Sequence, residues 1–281
     1  MRQLDKMDYK LPKRIEDSNK STYGRVLNIA GSDYMSGAAY LSSVSALKVG
    51  CGYCFLCSSE RVIDAVAAQT QNIVFLPYTQ LLETMKTVDV VEIGCGLSQS
   101  PLAVEIFERV IDNISADTKL LIDADGLNIL AKNPTKFLER NLKSVILTPH
   151  PKEAARLLGV SLEFVLSDIT ACARKISQKY RATVVLKSHK SVVISLSGEI
   201  YENNTGNNCM AKAGSGDVLA GMISGLWAQG LSDFEATVTG VYLHGLCGDF
   251  AKEKLTEYSV MADDLISFIP SAIKYSTVVS D

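Results

Sequence analysis

The chain has 281 residues, 47% hydrophobic and 21% charged, with a formal net charge of −3. That is enough apolar material for a substantial core and too little charge for a disordered chain, and the balance argues against a surface built for nucleic acid or an anionic membrane. No apolar run approaches the roughly 20 residues of a membrane span.

The N-terminal stretch MRQLDKMDYKLPKR lacks the apolar core of a secretory signal, and the seven cysteines sit mostly inside apolar segments. Together these read as reduced thiols of a cytoplasmic protein. Residues 1–22 are polar and aperiodic, a tail or strap preceding one domain over 23–281. Strands are then predicted at Val26–Ala30, Tyr53–Cys57, Val88–Ile93, Leu120–Ile122, Val145–Leu147 and Thr183–Leu186. Several are apolar almost throughout, as strands buried on both faces are. Helices are predicted between them at Gly37–Lys48, Pro101–Ile114, Pro151–Leu158 and Leu162–Tyr180. This alternation predicts an α/β sheet covered on both faces. Residues 191–202 read as a hairpin turning at Ser197-Gly198, and the chain from Ser215 onward is rich in helix.

The segment Asn204–Gly221 carries the most chemical information. Gly214, Ser215, Gly216 and Asp217 lead into Val218-Leu219-Ala220, so a helix begins at about Ser215 or Gly216. Glycines before a helix leave backbone N–H groups free to meet an anion, which the helix dipole favours. Asp217, in the first turn, can cap the helix or take a proton from a hydroxyl that attacks phosphorus. Spacing alone leaves both roles open. Cys51, Cys54 and Cys57 have a spacing that invites a metal site, but a strand points residues three apart to opposite faces and no fourth ligand is near in sequence. No residues are assigned as metal ligands.

Asn204, Gly206, Asn207, Met210, Ala211, Gly214, Gly216, Asp217 and Val218–Gly221 resemble the signature of ADP- or ATP-dependent NAD(P)H-hydrate dehydratases, members of the ribokinase-like superfamily. The resemblance runs in family order over about residues 24–270. It takes in Gly31-Ser32, Gly37-Ala38-Ala39, Gly94-x-Gly96-Leu97, Asp123-Ala124-Asp125, Leu147–Pro151 with Glu153, Val185–Lys187 and Tyr242–Gly245. It implies a three-layer α/β/α sandwich with a mostly parallel central sheet. It also implies repair of the S-epimer of hydrated NADH and NADPH (NADHX, NADPHX), with ADP or ATP as phosphoryl donor and Mg²⁺.

By the same resemblance, Asp217 is the catalytic base, and Gly214, Ser215 and Gly216 form the anion hole. Ala38, Ala39, Gly96, His150 and Asp217 bind substrate. Lys187, Ser188, His189, Lys190 and Ser191, with Gly216, bind the nucleotide. The family usually has glycine and threonine where this chain has Ser188 and Ser191, and Ser188 lacks the easy positive φ of glycine. Lys212 adds a charge that could meet a phosphate. His189 is expected to face solvent and His244 to lie in a buried helix, neither catalytic. Asp123 and Asp125 follow a predicted strand, where carboxylates hold Mg²⁺ through water or bond ribose hydroxyls, unless Asp125 caps the following helix. The resemblance further implies a homotetramer coupled to a separate NAD(P)H-hydrate epimerase. The rival functions are a small-molecule kinase of the same superfamily and a nucleotide-binding module without catalysis; the TPHP segment, Thr148–Pro151, speaks against the first.

Overall fold

The computed structural model describes residues 11–278; the first ten residues of the expected strap, and 279–281 of the expected domain, lie outside the described residues. Nine strands form one sheet: β1 (Arg25–Ile29), β2 (Tyr53–Ser58), β3 (Val74–Pro77), β4 (Val90–Ile93), β5 (Lys119–Ile122), β6 (Val145–Leu147), β7 (Thr183–Leu186), β8 (Val192–Ile194) and β9 (Ile200–Glu202). Their order is β3-β2-β1-β4-β5-β6-β7-β8-β9, parallel from β3 to β7, with β8 and β9 added antiparallel as the expected edge hairpin. The chain runs outward from β1 to β3 and then returns to β4 on the other side of β1. The carboxyl ends of β1 and β4 therefore flank the switch point where open α/β sheets hold ligands.

Strand residues alternate between two cores. Val26, Leu56, Val90 and Val185 face one layer; Leu27, Ile29, Val91, Ile93 and Val184 face the other. The first layer holds α1 (Ser36–Lys48) and α2 (Glu60–Ala67). The second holds α3 (Leu81–Met85), α4 (Pro101–Asn113), α5 (Ala124–Lys132), α6 (Thr135–Glu139), α7 (Pro151–Leu158), α8 (Leu162–Ser167) and α9 (Ile169–Tyr180). The last three helices, α10 (Ser215–Ala228), α11 (Asp233–Leu255) and α12 (Ala262–Val278), return to the first layer. This is the expected three-layer α/β/α sandwich. Cys54 packs in one layer and Cys57 in the other, as strand alternation requires.

Two expectations change. The single helix expected over Leu162–Tyr180 is two, because Asp168 leaves helical geometry (φ −154°, ψ 88°) and its side chain accepts a hydrogen bond from Ala171 N, starting α9 afresh. The strand expected from Val88 begins at Val90. The strand β3 and helix α2 complete the edge beside β2.

Helix α10 is buried on nearly every face and meets α1 at backbone distance. A Cβ added at Gly221 would stand 2.0 Å from Ser42 O, and one at Gly225 2.4 Å from Ala46 O. Opposite, Asn28 of β1 donates to Ser42 Oγ (2.7 Å) and Ser43 Oγ (2.9 Å), so α1 is also pinned by buried hydrogen bonds to the sheet.

Candidate active site

The site is built at the carboxyl ends of the parallel strands. Gly31 follows β1, Gly94 to Gly96 follow β4, Asp123 follows β5, His150 lies three residues beyond the end of β6, and Lys187 follows β7. The β4 turn is tight because it must be. Gly94 has φ +128°, and a Cβ there would lie 1.9 Å from Asp123 O. Its partner Gly96 (φ +61°) sits against α1, where a Cβ would meet that of Ala38 at 2.6 Å.

Across from this turn, α10 begins. Gly214 at its N-cap adopts the left-handed conformation (φ +92°) and has no side chain to cap the first turn. The leading N–H groups of a fourteen-residue helix therefore face outward with the positive end of its dipole. The buried Ser215 hydroxyl, at the same point, has no hydrogen-bond partner among the described residues. A phosphoryl group would satisfy both.

Three ionisable groups converge behind that turn. Lys187 Nζ lies 2.7 Å from Asp123 Oδ1, with the Asp123 side chain 1% exposed and that of Lys187 19%. Burial alone would depress the Lys187 pKa, but the Asp123 and Glu153 carboxylates outweigh it and hold the amine above its ordinary value. Asp217 is pushed up to about 6, by burial first and by Asp123 second, while the Cys95 thiol and Lys187 pull it back. It is thus a carboxylate at neutral pH, yet a markedly stronger base than an exposed aspartate. Beneath them Glu92 of β4 is fully buried. Burial, aided by Asp123 and Asp217, raises it to about 8, so it is a neutral acid at neutral pH. Cys95 Sγ lies 3.7 Å from Glu92 Oε1 and 4.0 Å from Asp123 Oδ2.

The larger of two flanking cavities, about 590 Å³, is lined by Lys187, Ser188, His189, Ser191, Ser215 and Gly216. His150 and His244 close its sides. Of the expected nucleotide residues, the structure thus gathers all but Lys190, whose Nζ points instead to Glu202 at 3.8 Å. Serine fits at 188 because the backbone there is not left-handed, and the loop closes on itself. Ser188 N donates to Ser191 Oγ, and Ser188 Oγ donates to Lys190 O. Lys212 reaches this cavity too, its amine donating to Tyr258 O.

His150 is the N-cap of α7. Its Nδ1 accepts from Lys152 N (3.0 Å) and Glu153 N (3.4 Å), and Glu153 accepts from His150 N in return. The ring is thereby held at the cavity wall, its side chain 42% exposed. Ala38 is half-buried beside Gly96. Ala39, expected next to it on the substrate, is 0% exposed and packs under Gly31 in the core, so it presents no surface to a ligand.

Asp125 does not cap α5; it accepts from Ser98 N (2.8 Å) and Gln99 Nε2 (3.2 Å), fastening the β4 turn to the β5 turn. Asp123 occupies the N-cap position without a side-chain cap bond, its carboxylate committed to Lys187. Sequence reasoning passed over Cys95 and Glu92, and placed His244 in a buried helix without seeing that it reaches the cavity. His244 is indeed buried in α11, and burial lowers its pKa to about 4, so its ring is neutral. Its Nε2 has no partner among the described residues. Glycines on both sides of Cys95 were the available signal for a residue held at a strand end.

Ligand atoms of Cys95, Asp123 and Asp217 lie within 4.8 Å of one another. The two carboxylates suit a hard cation such as Mg²⁺, and the thiol does not. The residues therefore fit an ion held jointly with phosphate oxygens rather than a closed protein cage.

A family model described as NAD(P)H-hydrate dehydratase matches residues 26–271. An ADP-dependent (S)-NAD(P)H-hydrate dehydratase of Neisseria meningitidis is 41% identical over 241 residues, 85% of this chain and 81% of that protein. A bifunctional NAD(P)H-hydrate repair enzyme of Moorella thermoacetica is 37% identical over 277 residues, 94% of this chain. The chain spans about half the length of that bifunctional relative (52%). Among solved structures, the ADP/ATP-dependent NAD(P)H-hydrate dehydratase of Bacillus subtilis, co-crystallised with ATP and Mg²⁺, superposes with a TM-score of 0.84 at 29% identity, covering 95% of this chain and 94% of that one.

Proposed function

The chain belongs to the NAD(P)H-hydrate dehydratase family, with its ribokinase-like fold, and we propose that it dehydrates the S-epimers of NADHX and NADPHX to NADH and NADPH, using ADP as phosphoryl donor. The observation that carries this reading is the position of Asp217. It follows the uncapped glycine turn that faces the nucleotide-sized cavity, and its carboxylate neighbours Cys95, one residue from Gly96 and its partner Ala38.

The chemistry follows from that placement. The hydrated ring carries a hydroxyl at C6, and hydroxide leaves poorly. Asp217 accepts the hydroxyl proton as the oxygen attacks the terminal phosphorus, and the P–O bond to AMP breaks. The Gly214–Gly216 turn, with Ser215 Oγ, receives the charge that builds on the transferring group. The ring-nitrogen lone pair then expels phosphate with the C–O bonding electrons, and loss of a C5 proton restores the reduced nicotinamide. Lys187 supplies fixed positive charge beside Gly216, where a Cβ would stand 3.3 Å from its amine. Asp123 would help hold the Mg²⁺ that accompanies the nucleotide, which would neutralise phosphate charge and leave Asp217 free as the base. His150 and Ala38 orient the ring, and the Lys187–Ser191 loop holds the nucleotide, with His189 at its mouth. An NAD(P)H-hydrate epimerase converts the other epimer into usable substrate. Among the described residues no helix is long and apolar enough to cross a membrane, and the cytoplasm, where reduced nicotinamides are made and hydrated, is the proposed location. A homotetramer is the proposed assembly, checked by light scattering.

The test is incubation of purified protein with NADHX and either ADP or ATP in the presence of Mg²⁺. Return of the reduced-nicotinamide absorbance with one phosphate released per molecule is the expected result, and the faster nucleotide names the donor. A stable phosphorylated product without recovery of NADH would replace this reading with a kinase.

A further inference from the structure

Cys95 stands behind the glycine turn as a buried thiol that takes no step in the dehydration. Its sulfur and carboxylate oxygens of Asp123 and Asp217 all lie within 4.8 Å of one another. The Cys95–Asp123 arm, from Sγ to Oδ2, is 4.0 Å. Ligand atoms sharing one Zn²⁺ sit about 3.3 to 3.7 Å apart, given bonds of about 2.0 Å to oxygen and 2.3 Å to sulfur. The three side chains are therefore a small adjustment away from a common coordination sphere. For Mg²⁺ the sulfur is idle; for an ion that accepts sulfur and oxygen alike it is a third ligand.

We infer that Cys95, Asp123 and Asp217 form a three-ligand site for a divalent ion of the zinc class, and that this ion silences the enzyme by occupying its base. The inhibition rests on the dehydratase reading, in which Asp217 takes the hydroxyl proton; the binding does not.

Charge favours the site. Lys187 holds Asp123 through Oδ1, so Oδ2 is the oxygen left toward the thiol. The two carboxylates and the one amine leave this buried group with one negative charge in excess. A dication that enters as the thiol gives up its proton brings the sum to zero. The metal–sulfur bond forms as the S–H bond breaks, and the proton passes to solvent. Burial and the neighbouring carboxylates hold the thiol pKa well above its ordinary value, so the sulfur stays protonated until an ion arrives. A second observation points to the same place. Glu92 Oε2 is buried without a hydrogen-bond partner among the described residues, while Oε1 lies 3.7 Å from Cys95 Sγ. A neutral Glu92 can turn its proton toward a thiolate, the outer-shell hydrogen bond that steadies a metal-bound sulfur. Access is from the nucleotide cavity. Gly216 lines it, a Cβ there would stand 4.0 Å from Asp123 Oδ2, and Asp217 is half-buried. Water completes the coordination.

The experiment titrates the purified full chain with Co²⁺, a spectroscopic substitute for Zn²⁺, and then with Zn²⁺ itself. Wild type, Cys95→Ala and Cys95→Ser are compared, with circular dichroism to check each fold. Wild type should develop a thiolate-to-cobalt charge-transfer band that saturates at a single ion per chain and disappears when Zn²⁺ displaces the cobalt. In Cys95→Ala the band should be absent. Zinc binding by equilibrium dialysis should there be weaker by about a hundredfold or more, since losing an outer-shell partner alone costs about 10- to 100-fold. Zinc-loaded wild type, freed of excess metal, should not turn over NADHX with Mg²⁺ and ADP. Turnover should return once a chelator has removed the zinc and Mg²⁺ is restored. The sensitivity of each variant is read against its own metal-free rate, and Cys95→Ala should lose the inhibition. Absence of the band in wild type would overturn the site, whether or not either variant folds. So would a band that survives in Cys95→Ala, which would give the ion to another cysteine. Zinc held by Cys95 without loss of turnover would overturn the inhibition. If wild type never turns over the hydrate yet shows the Cys95-dependent band, the dehydratase reading fails and the metal site stands.

Discussion

Lys187 and Asp123 are joined at 2.7 Å at the floor of the cleft, and the same lysine amine lies 3.3 Å from the place a Cβ on Gly216 would take. One buried ion pair thus borders both the glycine turn and the base that follows it. Removing the lysine alone strands a carboxylate that is 1% exposed. Lys187→Met is expected to cost about 3 kcal/mol of stability, since a buried charge without its partner is the expensive state. The double variant Lys187→Met with Asp123→Asn should recover much of that loss. Denaturant unfolding of the four proteins of the cycle checks it; additive losses would show that the two side chains are not energetically coupled.

Asp217→Asn keeps the shape and removes the base. Turnover should fall by about 10² to 10⁴, with the unfolding midpoint little changed. The wild-type pH profile should carry an acid limb near 6, because the carboxylate must be ionised to accept a proton and burial has raised its pKa to about 6. Activity is therefore full above that value and lost as pH falls through it. The residual rate of Asp217→Asn should lack the limb. A limb at the ordinary carboxylate pH, or one persisting in the variant, assigns the titration to another group.

Glu92 has the opposite consequence for stability. Its pKa is about 8 in the fold against an ordinary carboxylate value in the unfolded chain, so the folded state keeps a proton that the unfolded state has released. Stability contributed in this way is present at low pH and declines as pH rises toward 8. Glu92→Gln should remove that decline, so its unfolding midpoint gains on wild type from about pH 5 to about pH 9. Parallel curves for the two proteins across that range would refute the assignment.

Gly221→Ala tests the contact between α1 and α10. The added Cβ would lie 2.0 Å from Ser42 O, a backbone atom that cannot swing aside. A loss of about 3 kcal/mol or more is expected. Gly37→Ala, at the start of α1 with nothing within 4 Å of its Cβ, is the control and should be neutral or slightly stabilising. Thermal unfolding of the pair reads the difference directly.

The strands that were legible in sequence are the buried ones, β1, β2 and β4 to β7, marked by their apolar runs, and the hairpin strands β8 and β9, marked by the turn at Ser197-Gly198. The edge strand β3 was not. Its apolar run Ile73–Leu76 is short and runs straight into Pro77, a residue that speaks against a strand, and Val74 is 40% exposed. The break between α8 and α9 was written in Asp168, whose cap bond to Ala171 N was masked by an unbroken helical pattern on both sides. At the site, the glycine turn and Asp217 could be read because helix-start chemistry is local. The pairing of Asp123 with Lys187 could not, since 64 residues separate them and only the sheet order brings β5 and β7 to one floor. Ala39 shows the limit of a motif read as a unit. Adjacent helical residues point about 100° apart, so Ala38 can face the cleft only while Ala39 faces the sheet.

Since α1 carries Ala38 and α10 carries Gly216 and Asp217, the gap in which the hydrated ring and the donor would meet is set by peptide groups touching peptide groups. No side chain at Gly221 or Gly225 stands between the helices to be enlarged or trimmed. Ordinary substitution can reshape the rims, where Tyr34, His189 and Lys212 stand exposed, but it cannot widen the reaction gap by small steps. New ligand preferences in this scaffold should therefore arise at the cavity mouths, while the spacing between base and acceptor is inherited whole.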